Sequence, residues 1–214
     1  MKKTNNKGFS LVELIIVIAI MAILAGAIAP ALIKYIDKSR KSNDVSSAKT
    51  IKTAIETALG TESVYEVLTN CGTSYTKIIF KAGTATPATD TSTPVTARTA
   101  DTAYTGTATN MTISGCQFPT GSTISGDAVE YAIASNIGEK MPKTKYQKTI
   151  DQTGKKVSTG GFKPETFFAV ISSGGTVYVG VTSSAATGLT FSTSQQAVTA
   201  GGASLTPTVC DGYQ

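Results

Sequence analysis

The sequence contains no histidine and no tryptophan, and three of its 214 residues are cysteine. Without histidine, the chain lacks the side chain that most often acts as a general base or binds a metal ion. The sequence patterns of P-loops, G-x-S-x-G hydrolases, HExxH zinc proteases and EF-hand calcium sites are also absent. These absences predict a protein that is not an enzyme, with no catalytic residue, no metal site and no cofactor.

Charge is scarce as well, since charged residues make up 15% of the chain. The net charge of +5 is concentrated at the N-terminus, where Lys2, Lys3 and Lys7 supply +3. The rest of the chain carries only +2. This excess is too small to indicate a nucleic-acid partner by itself.

What the sequence does have is a long apolar run. No polar side chain occurs from Leu14 to Ile33, which is 20 residues, and extending the run back to Phe9 adds only Ser10 and Glu13 as polar members. A helix of about 20 residues spans roughly 30 Å, the thickness of the hydrocarbon core of a bilayer. The lysines in front of the run predict a cytoplasmic N-terminus and an exported remainder.

Two common kinds of segment, a secretory signal peptide and a single-pass anchor, explain this run incompletely. Ala27-Ile28-Ala29 resembles a signal-peptidase site, but Pro30 would follow the cut and Glu13 would interrupt the apolar region. A plain anchor leaves Glu13 unexplained, because a charge near the centre of a membrane helix costs about 2.5–3.5 kcal/mol. Even at the helix end, where the cost is smaller, such a carboxylate requires a partner.

The residues that begin the run supply one. The segment from residue 7 to residue 14 reads KGFSLVEL and resembles the prepilin signature of the type IV pilin family, which includes the type II secretion pseudopilins. The resemblance implies cleavage after Gly8 and methylation of the new N-terminal residue, Phe9, by a prepilin peptidase. It also implies that Glu13 serves subunit assembly by pairing with the Phe9 amine of a neighbouring subunit. Pro30 matches a position where many pilins carry proline.

The same resemblance implies the partners and the location of the chain. Its subunits would polymerise into a helical filament, using a pilus assembly platform and its ATPase. The chain would begin as a single-pass protein of the cytoplasmic membrane, with its globular part outside, and end in an extracellular pilus serving adhesion, motility or DNA uptake. A pseudopilin of a secretion or competence system is the alternative, and a membrane-tethered surface domain or enzyme is a third class.

Apolar residues continue at helical spacing after Ile33, with charged residues such as Asp44 between them on the expected solvent-facing side, which predicts an amphipathic helix ending at Leu59 before Gly60. Gly26 and Pro30 predict a kink within the long helix. The fold class expected is α+β, with this helix packed on an antiparallel sheet of about four strands, as in pilins. The segments are then a leader at 1–8, a membrane or filament-core helix at 9–33, an amphipathic half at 34–59, a variable region at 60–125, and a short helix, sheet and C-terminal region at 126–214.

Local patterns predict some elements of the globular part. Val64–Leu68 and Tyr75–Phe80 are strand or helix candidates, and 11 of the 27 residues in 83–109 are threonine, which predicts an exposed loop. Asp127 is the expected N-cap of a helix over Ala128–Ile137. Two hairpins are expected, one with strands Thr166–Ser172 and Thr176–Val181 around two glycines, the other with strands Lys145–Ile150 and Lys155–Ser158.

Lysines recur between residues 140 and 163, and they predict a solvated face or a charge match between subunits. DNA binding through them is a weaker hypothesis, because Tyr146 is nearly the only aromatic residue among them. The three cysteines are Cys71, Cys116 and Cys210. In the resemblance, Cys210 could form a disulfide with Cys116 or Cys71, while free thiols and a metal site stay as alternatives.

Overall fold

The computed structural model shows two compact units, of which the first ends at Ser39 and the second, called the head below, begins at Arg40. It describes residues 9–72, 75–84, 97–106, 110–138, 140–186, 188–192, 194–195 and 197–214. Gly8 and much of the threonine-rich stretch lie outside these ranges.

The helices are α1 (Leu11–Leu59), α2 (Glu62–Thr69) and α3 (Gly126–Ile137), and a 3₁₀ turn covers Asp211–Tyr213. The strands are β1 (Tyr75–Phe80), β2 (Gly83–Thr84), β3 (Thr102–Gly106), β4 (Met111–Phe118), β5 (Lys140–Met141), β6 (Thr166–Ser172), β7 (Val177–Thr182), β8 (Thr190–Ser192), β9 (Ala197–Ala200) and β10 (Gly202–Thr206). The α+β class predicted from the sequence is confirmed.

Within the head, α1 packs through one face, as its amphipathic pattern predicts. Its buried apolar side chains are Ala48, Ile51, Ala54, Ile55 and Ala58. The helix ends where the sequence predicts, because the Gly60 amide donates to the carbonyl of Thr57 at 3.1 Å instead of continuing the ladder. The segment from Glu62 to Thr69, which was ambiguous in the sequence, is helical.

The main sheet has six antiparallel strands in the order β10-β7-β6-β1-β4-β3. The predicted number of about four is therefore wrong. Three of the six strands, β1, β3 and β4, come from residues 60–125, which the sequence presented as a variable connection. β1 pairs with β4 on one side and with β6 on the other, in a register that sets Tyr75 opposite Ser172. The alternation of polar and apolar residues within one segment does not show which distant segment it pairs with.

Of the two predicted hairpins, the one formed by β6 and β7 is confirmed. Its turn is closed by the Gly175 amide, which donates to the carbonyl of Ser172 at 2.9 Å. Gly175 has a φ of 76°, a conformation that glycine adopts without strain. Both strands are buried along nearly their whole length, because each face of the sheet is covered.

The second predicted hairpin is reduced to one antiparallel bridge, between Ile150 and Lys156, and its two predicted strands are wrong. Within the described segment 140–186, residues 145–158 form isolated bridges, from Ile150 to Lys156 and to Phe162, but no strand. The physical reason is that the amides of Lys145 and Tyr146, expected in a strand ladder, donate instead to a carboxylate of α1.

The predicted helix near residue 127 exists, but its cap lies earlier. α3 begins at Gly126, and the hydroxyl of Ser125 accepts a hydrogen bond from the Ala128 amide at 3.1 Å. Asp127 lies in the first turn, where its charge favours the positive end of the helix dipole. Gly138 ends the helix, as predicted, with a φ of 99°.

The two faces of the sheet are covered differently. The three helices cover one face, where the largest buried side chains include Phe80, Phe167 and Ile171. On the other face, Phe168 packs in a smaller cluster beneath the β8–β9 hairpin, in which the Phe191 ring centroid lies 4.9 Å from that of Tyr178. β3 forms the edge of the sheet and is largely exposed.

A buried carboxylate joins α1 to the segment before β6. Asp44 is fully buried; its Oδ1 accepts from the Lys145 amide at 2.5 Å and its Oδ2 from the Tyr146 amide at 3.0 Å. Burial raises the pKa of this carboxyl above its ordinary value, although the two amides act in the opposite direction. The sequence places Asp44 among solvent-facing charges, which is wrong. Its helical register with Ala48 and Ile51 was the available signal.

The first prediction concerns Asp44→Ala. Removal of the carboxylate leaves two largely enclosed amides without their acceptors, and we expect the free energy of unfolding to fall by about 2–4 kcal/mol. Urea unfolding of the detergent-solubilised chain measures this change. Lys49→Ala on the exposed side of the same helix is the matched control, expected within about 0.5 kcal/mol of wild type. Equal effects of the two substitutions would contradict the structural role of Asp44.

The second prediction concerns pH. Because the pKa of Asp44 is raised in the folded state, the folded chain holds more protons than the unfolded chain between the two pKa values. The unfolding free energy contributed by this group therefore falls as pH rises through that window. We expect the wild-type value minus the Asp44→Asn value to decrease from pH 3 to pH 6. A difference that rises with pH would show that the amides outweigh the burial.

Candidate functional site

The N-terminal end of α1 is organised around Glu13. Its Oε2 accepts a hydrogen bond from the Ser10 amide at 2.8 Å, while the Leu14 amide donates to the carbonyl of Ser10 at 3.2 Å. Ser10 is thus the N-cap residue of the helix, and Glu13 satisfies one of the amides that a helix start leaves without a partner. Phe9 precedes this cap and is 93% exposed.

Around Glu13, the helix exposes apolar side chains in every direction. Each large apolar side chain from Phe9 to Ile33 exposes at least 51% of its surface. Burying one leucine or isoleucine contributes about 1.5–3 kcal/mol, so a surface of this size is strongly unfavourable in water. By length and composition, α1 can cross a membrane. This surface fits lipid or a bundle of similar helices.

Glu13 is the one acidic residue of α1 before Asp37. A carboxylate has about four acceptor positions on two oxygens, and the Ser10 amide uses one of them. The remaining positions can accept from a cationic donor, such as an N-terminal amine. In apolar surroundings such a charged pair is favourable only when both partners are present.

Gly26 and Pro30 both lie within α1, which is helical through both positions. A Cβ on Gly26 would meet no atom within 4 Å. Pro30 lacks the amide that would donate to the preceding turn, so the helix has one backbone hydrogen bond fewer there. The kink that these two residues predict stays a prediction.

The structure separates the three cysteines into two places, and all three are free. The Sγ of Cys71 lies 3.5 Å from the Oγ1 of Thr76, and Cys116 lies beside the same hydroxyl. Cys210 lies elsewhere, against Gly154 and Tyr213. A disulfide from Cys210 stays a prediction. Cys71 and Cys116 both lie beside the hydroxyl of Thr76.

The thiols of Cys116 and Cys210 are not activated nucleophiles. Burial is the main cause that raises the pKa of Cys116, and likewise of Cys210, to about 11. Both are therefore protonated at neutral pH, and the thiol is a much weaker nucleophile than the thiolate. In the described ranges, no group of three or more cysteine, aspartate or glutamate side chains could hold a metal ion.

The sequence did not reveal a cluster of cations in the head. Arg40 of α1 and Lys143 and Lys145 of the segment after β5 line one groove, together with Asn43 and Gln147. About a hundred residues separate the two segments, and the hydrogen bonds of Asp44 bring them together. In the sequence, where this contact cannot be seen, the lysines form only a charged run.

Comparison with known proteins identifies the N-terminal segment. A family model described as the prokaryotic N-terminal methylation motif matches residues 3–29. The type IV major fimbrial protein FimA of Dichelobacter nodosus is 46% identical over 57 residues, or 27% of this chain and 36% of that protein. Fimbrial protein Q of Moraxella bovis is 48% identical over 54 residues, or 25% of this chain and 34% of that protein.

The chain thus spans about a third of the length of the curated relatives that it matches. No solved structure matches it significantly. The methylation motif covers the exposed N-terminus of α1, including Phe9 and Glu13. A long, apolar N-terminal helix and an antiparallel sheet packed on its second half are the two parts of the type IV pilin fold. In its N-terminal motif, in its similarity to fimbrial proteins over about a quarter of its length and in this fold, the chain resembles the type IV pilins.

Proposed function

We propose that this chain is a structural subunit of a type IV pilus. It is cleaved after Gly8, methylated on the amine of Phe9 and polymerised into a surface filament. The observation that carries the proposal is the carboxylate of Glu13, which lies one turn inside an exposed apolar helix and within the matched methylation motif.

The proposed assembly step is an exchange of surroundings for α1. In the membrane its apolar surface is covered by lipid, and in the filament it is covered by the same helices of neighbouring subunits. Cleavage creates an amine on Phe9, which pairs with Glu13 of a subunit already in place. Since one charge alone in an apolar bundle is costly, the pair favours a docked subunit over a free one.

The proposed route follows from the charge of the leader. Lys2, Lys3 and Lys7 keep the N-terminus in the cytoplasm, and the head is exported. A prepilin peptidase and methyltransferase processes the chain, and an assembly platform with its ATPase extrudes it. The role is structural rather than enzymatic, in keeping with the fimbrial names of the relatives.

A surface pilus is favoured over a short secretion or competence pseudopilus by those same names, since both relatives are called fimbrial proteins. Adhesion, motility and DNA uptake are the roles that such a filament serves. Electron microscopy of fibres sheared from cells, followed by mass analysis of their N-terminus, tests the proposal directly. Fibres whose subunits begin at methylated Phe9 are the expected result, and a chain that keeps its leader would overturn it.

The third prediction concerns Gly8→Leu. A side chain at this position hinders the extended backbone in the cleft of the peptidase, so the leader should stay attached and no filament should form. Immunoblotting of membranes measures the size of the chain, and shearing measures the filaments. Asn6→Leu within the leader is the control and should be processed normally. A processed Gly8→Leu chain would argue against cleavage at this bond.

The fourth prediction separates the two roles that the structure allows for Glu13. Glu13→Gln keeps an oxygen that can accept from the Ser10 amide but removes the charge, whereas Glu13→Ala removes both. If the charge pair drives assembly, both variants are cleaved yet lose filaments, because one partner of a buried pair is missing at a cost of about 3–5 kcal/mol.

The measurement is the amount of sheared filament relative to cleaved monomer in the membrane. Wild-type filament yield from Glu13→Gln, with loss only in Glu13→Ala, would assign Glu13 to capping the helix and would refute the pairing. Leu14→Gln, which places an amide at the next position without removing the carboxylate, controls for added polarity.

A further inference from the structure

The cationic groove of the head is built on a fixed frame. Its cations Arg40, Lys143 and Lys145 come from two segments that the Asp44 carboxylate ties together through the amides of Lys145 and Tyr146. The Thr144 hydroxyl also donates to the carbonyl of Pro164 at 3.0 Å. Because the backbone under the cations is held by buried hydrogen bonds, a ligand that binds there does not have to order this backbone.

Asp44 offsets only part of this charge. Asp44 lies behind the groove, fully buried, with both oxygens engaged by backbone amides. The three cations side by side repel one another, and their guanidinium and ammonium groups are donors that suit carboxylates or phosphates. The groove therefore fits an anionic ligand with at least two negative groups.

The head carries a matching anionic surface, the outer face of α2. Glu62, Tyr65 and Glu66 are exposed, while Val64, Val67 and Leu68 on the opposite side are buried. Glu62 and Glu66 are four residues apart, so their carboxylates lie on one side of the helix, one turn from each other. Tyr65 stands between them with 40% of its surface exposed.

One copy of the chain cannot bring these two surfaces together. The groove lies at Arg40 and α2 follows Leu59, and the helix between them covers about 29 Å at 1.5 Å per residue. A contact between two different patches on identical subunits is heterologous, and its repetition produces a ring or an open helical filament.

We propose that the cationic groove of one subunit binds the acidic face of α2 on a second copy of this chain. Arg40, Lys143 and Lys145 pair there with Glu62 and Glu66. The inference rests on the proposed filament function and adds to it a contact between heads that fixes the register of neighbouring subunits. Charge complementarity acts on specificity and rate of docking as much as on affinity.

Nucleic acid is the less suitable occupant. Three cations in one short groove cover few phosphates, and the aromatic rings of Tyr146 and Tyr213 beside it are buried in the head, where bases cannot stack on them. The α2 face, in contrast, offers two carboxylates at a fixed spacing.

The first test reverses charges in the full-length chain, in cells that assemble wild-type filaments. R40E/K143E/K145E and E62K/E66K should each lower the yield of sheared filaments about tenfold or more, since like charges then meet. The variant with all five substitutions restores opposite charges with exchanged signs and should recover to within about threefold of wild type. K81E/K156E, which reverses two exposed lysines outside the groove, is the matched control and should assemble normally.

The second test needs no variant and covers the case in which a reversed chain does not fold. A zero-length carbodiimide applied to wild-type filaments should join Lys143 or Lys145 to Glu62 or Glu66, found by mass spectrometry in cross-linked dimers. The separation of the two surfaces within one head means that such a bond joins two copies. Lysine–carboxylate cross-links elsewhere, without these, would overturn the proposal.

The outcomes distinguish this contact from the filament itself. If the wild-type chain forms no filament, the proposed function fails and the head contact fails with it. If filaments form but tolerate both reversals, only the head contact is overturned. If R40E/K143E/K145E leaves filament yield unchanged but abolishes the binding of double-stranded DNA to purified filaments, the groove binds phosphate and the contact between copies is wrong.

Discussion

The structure depends on the constraint that one helix must suit two surroundings. From Arg40 onward, α1 places one apolar face, including Ile51 and Ile55, in the core of the head and keeps its other sides polar. From Phe9 to Ile33 it exposes apolar side chains on all sides. The first kind of surface is satisfied within one subunit and the second requires lipid or other subunits. The division between folding and assembly therefore follows the change in pattern along α1.

A small number of polar contacts fixes the rest of the head to that helix. Asp44 holds the segment before β6, and three residues earlier Lys41 donates to the carbonyl of Gly212 and lies 4.6 Å from the ring centroid of Tyr146. These contacts bring the C-terminal end of the chain to the first turns of the helix within the head. A buried carboxylate is costly unless its acceptor positions are filled, so this junction specifies one arrangement of the segments rather than merely adding stability.

The sequence predicted what local patterns encode and missed what distant contacts decide. The N-terminal motif, the end of α1 at Leu59 and the β6–β7 hairpin depend on neighbouring residues, and each was correct. The six-stranded sheet was missed because β1 takes its partners from far along the chain. The strands predicted around Lys145 and the predicted exposure of Asp44 were wrong for the same reason. The amides expected to pair in a sheet donate instead to the Asp44 carboxylate. The cationic groove was missed for the same reason.

Glu13 and the groove around Arg40 are both charged, but the value of a charge pair depends on its exposure to water, which differs between the two. Glu13 is a single charge in an apolar surface, where water is excluded and an absent partner is expensive. The groove around Arg40 is exposed, where screening makes each pair weak but several pairs together select an orientation. In the proposed filament, buried pairing would hold a subunit in place, and surface pairing would set the orientation of its head against its neighbours. Each of these proposed contacts joins two different surfaces of the subunit. Every added subunit therefore leaves one of each pair of surfaces unoccupied, so that a further subunit can bind, as in an open helical filament.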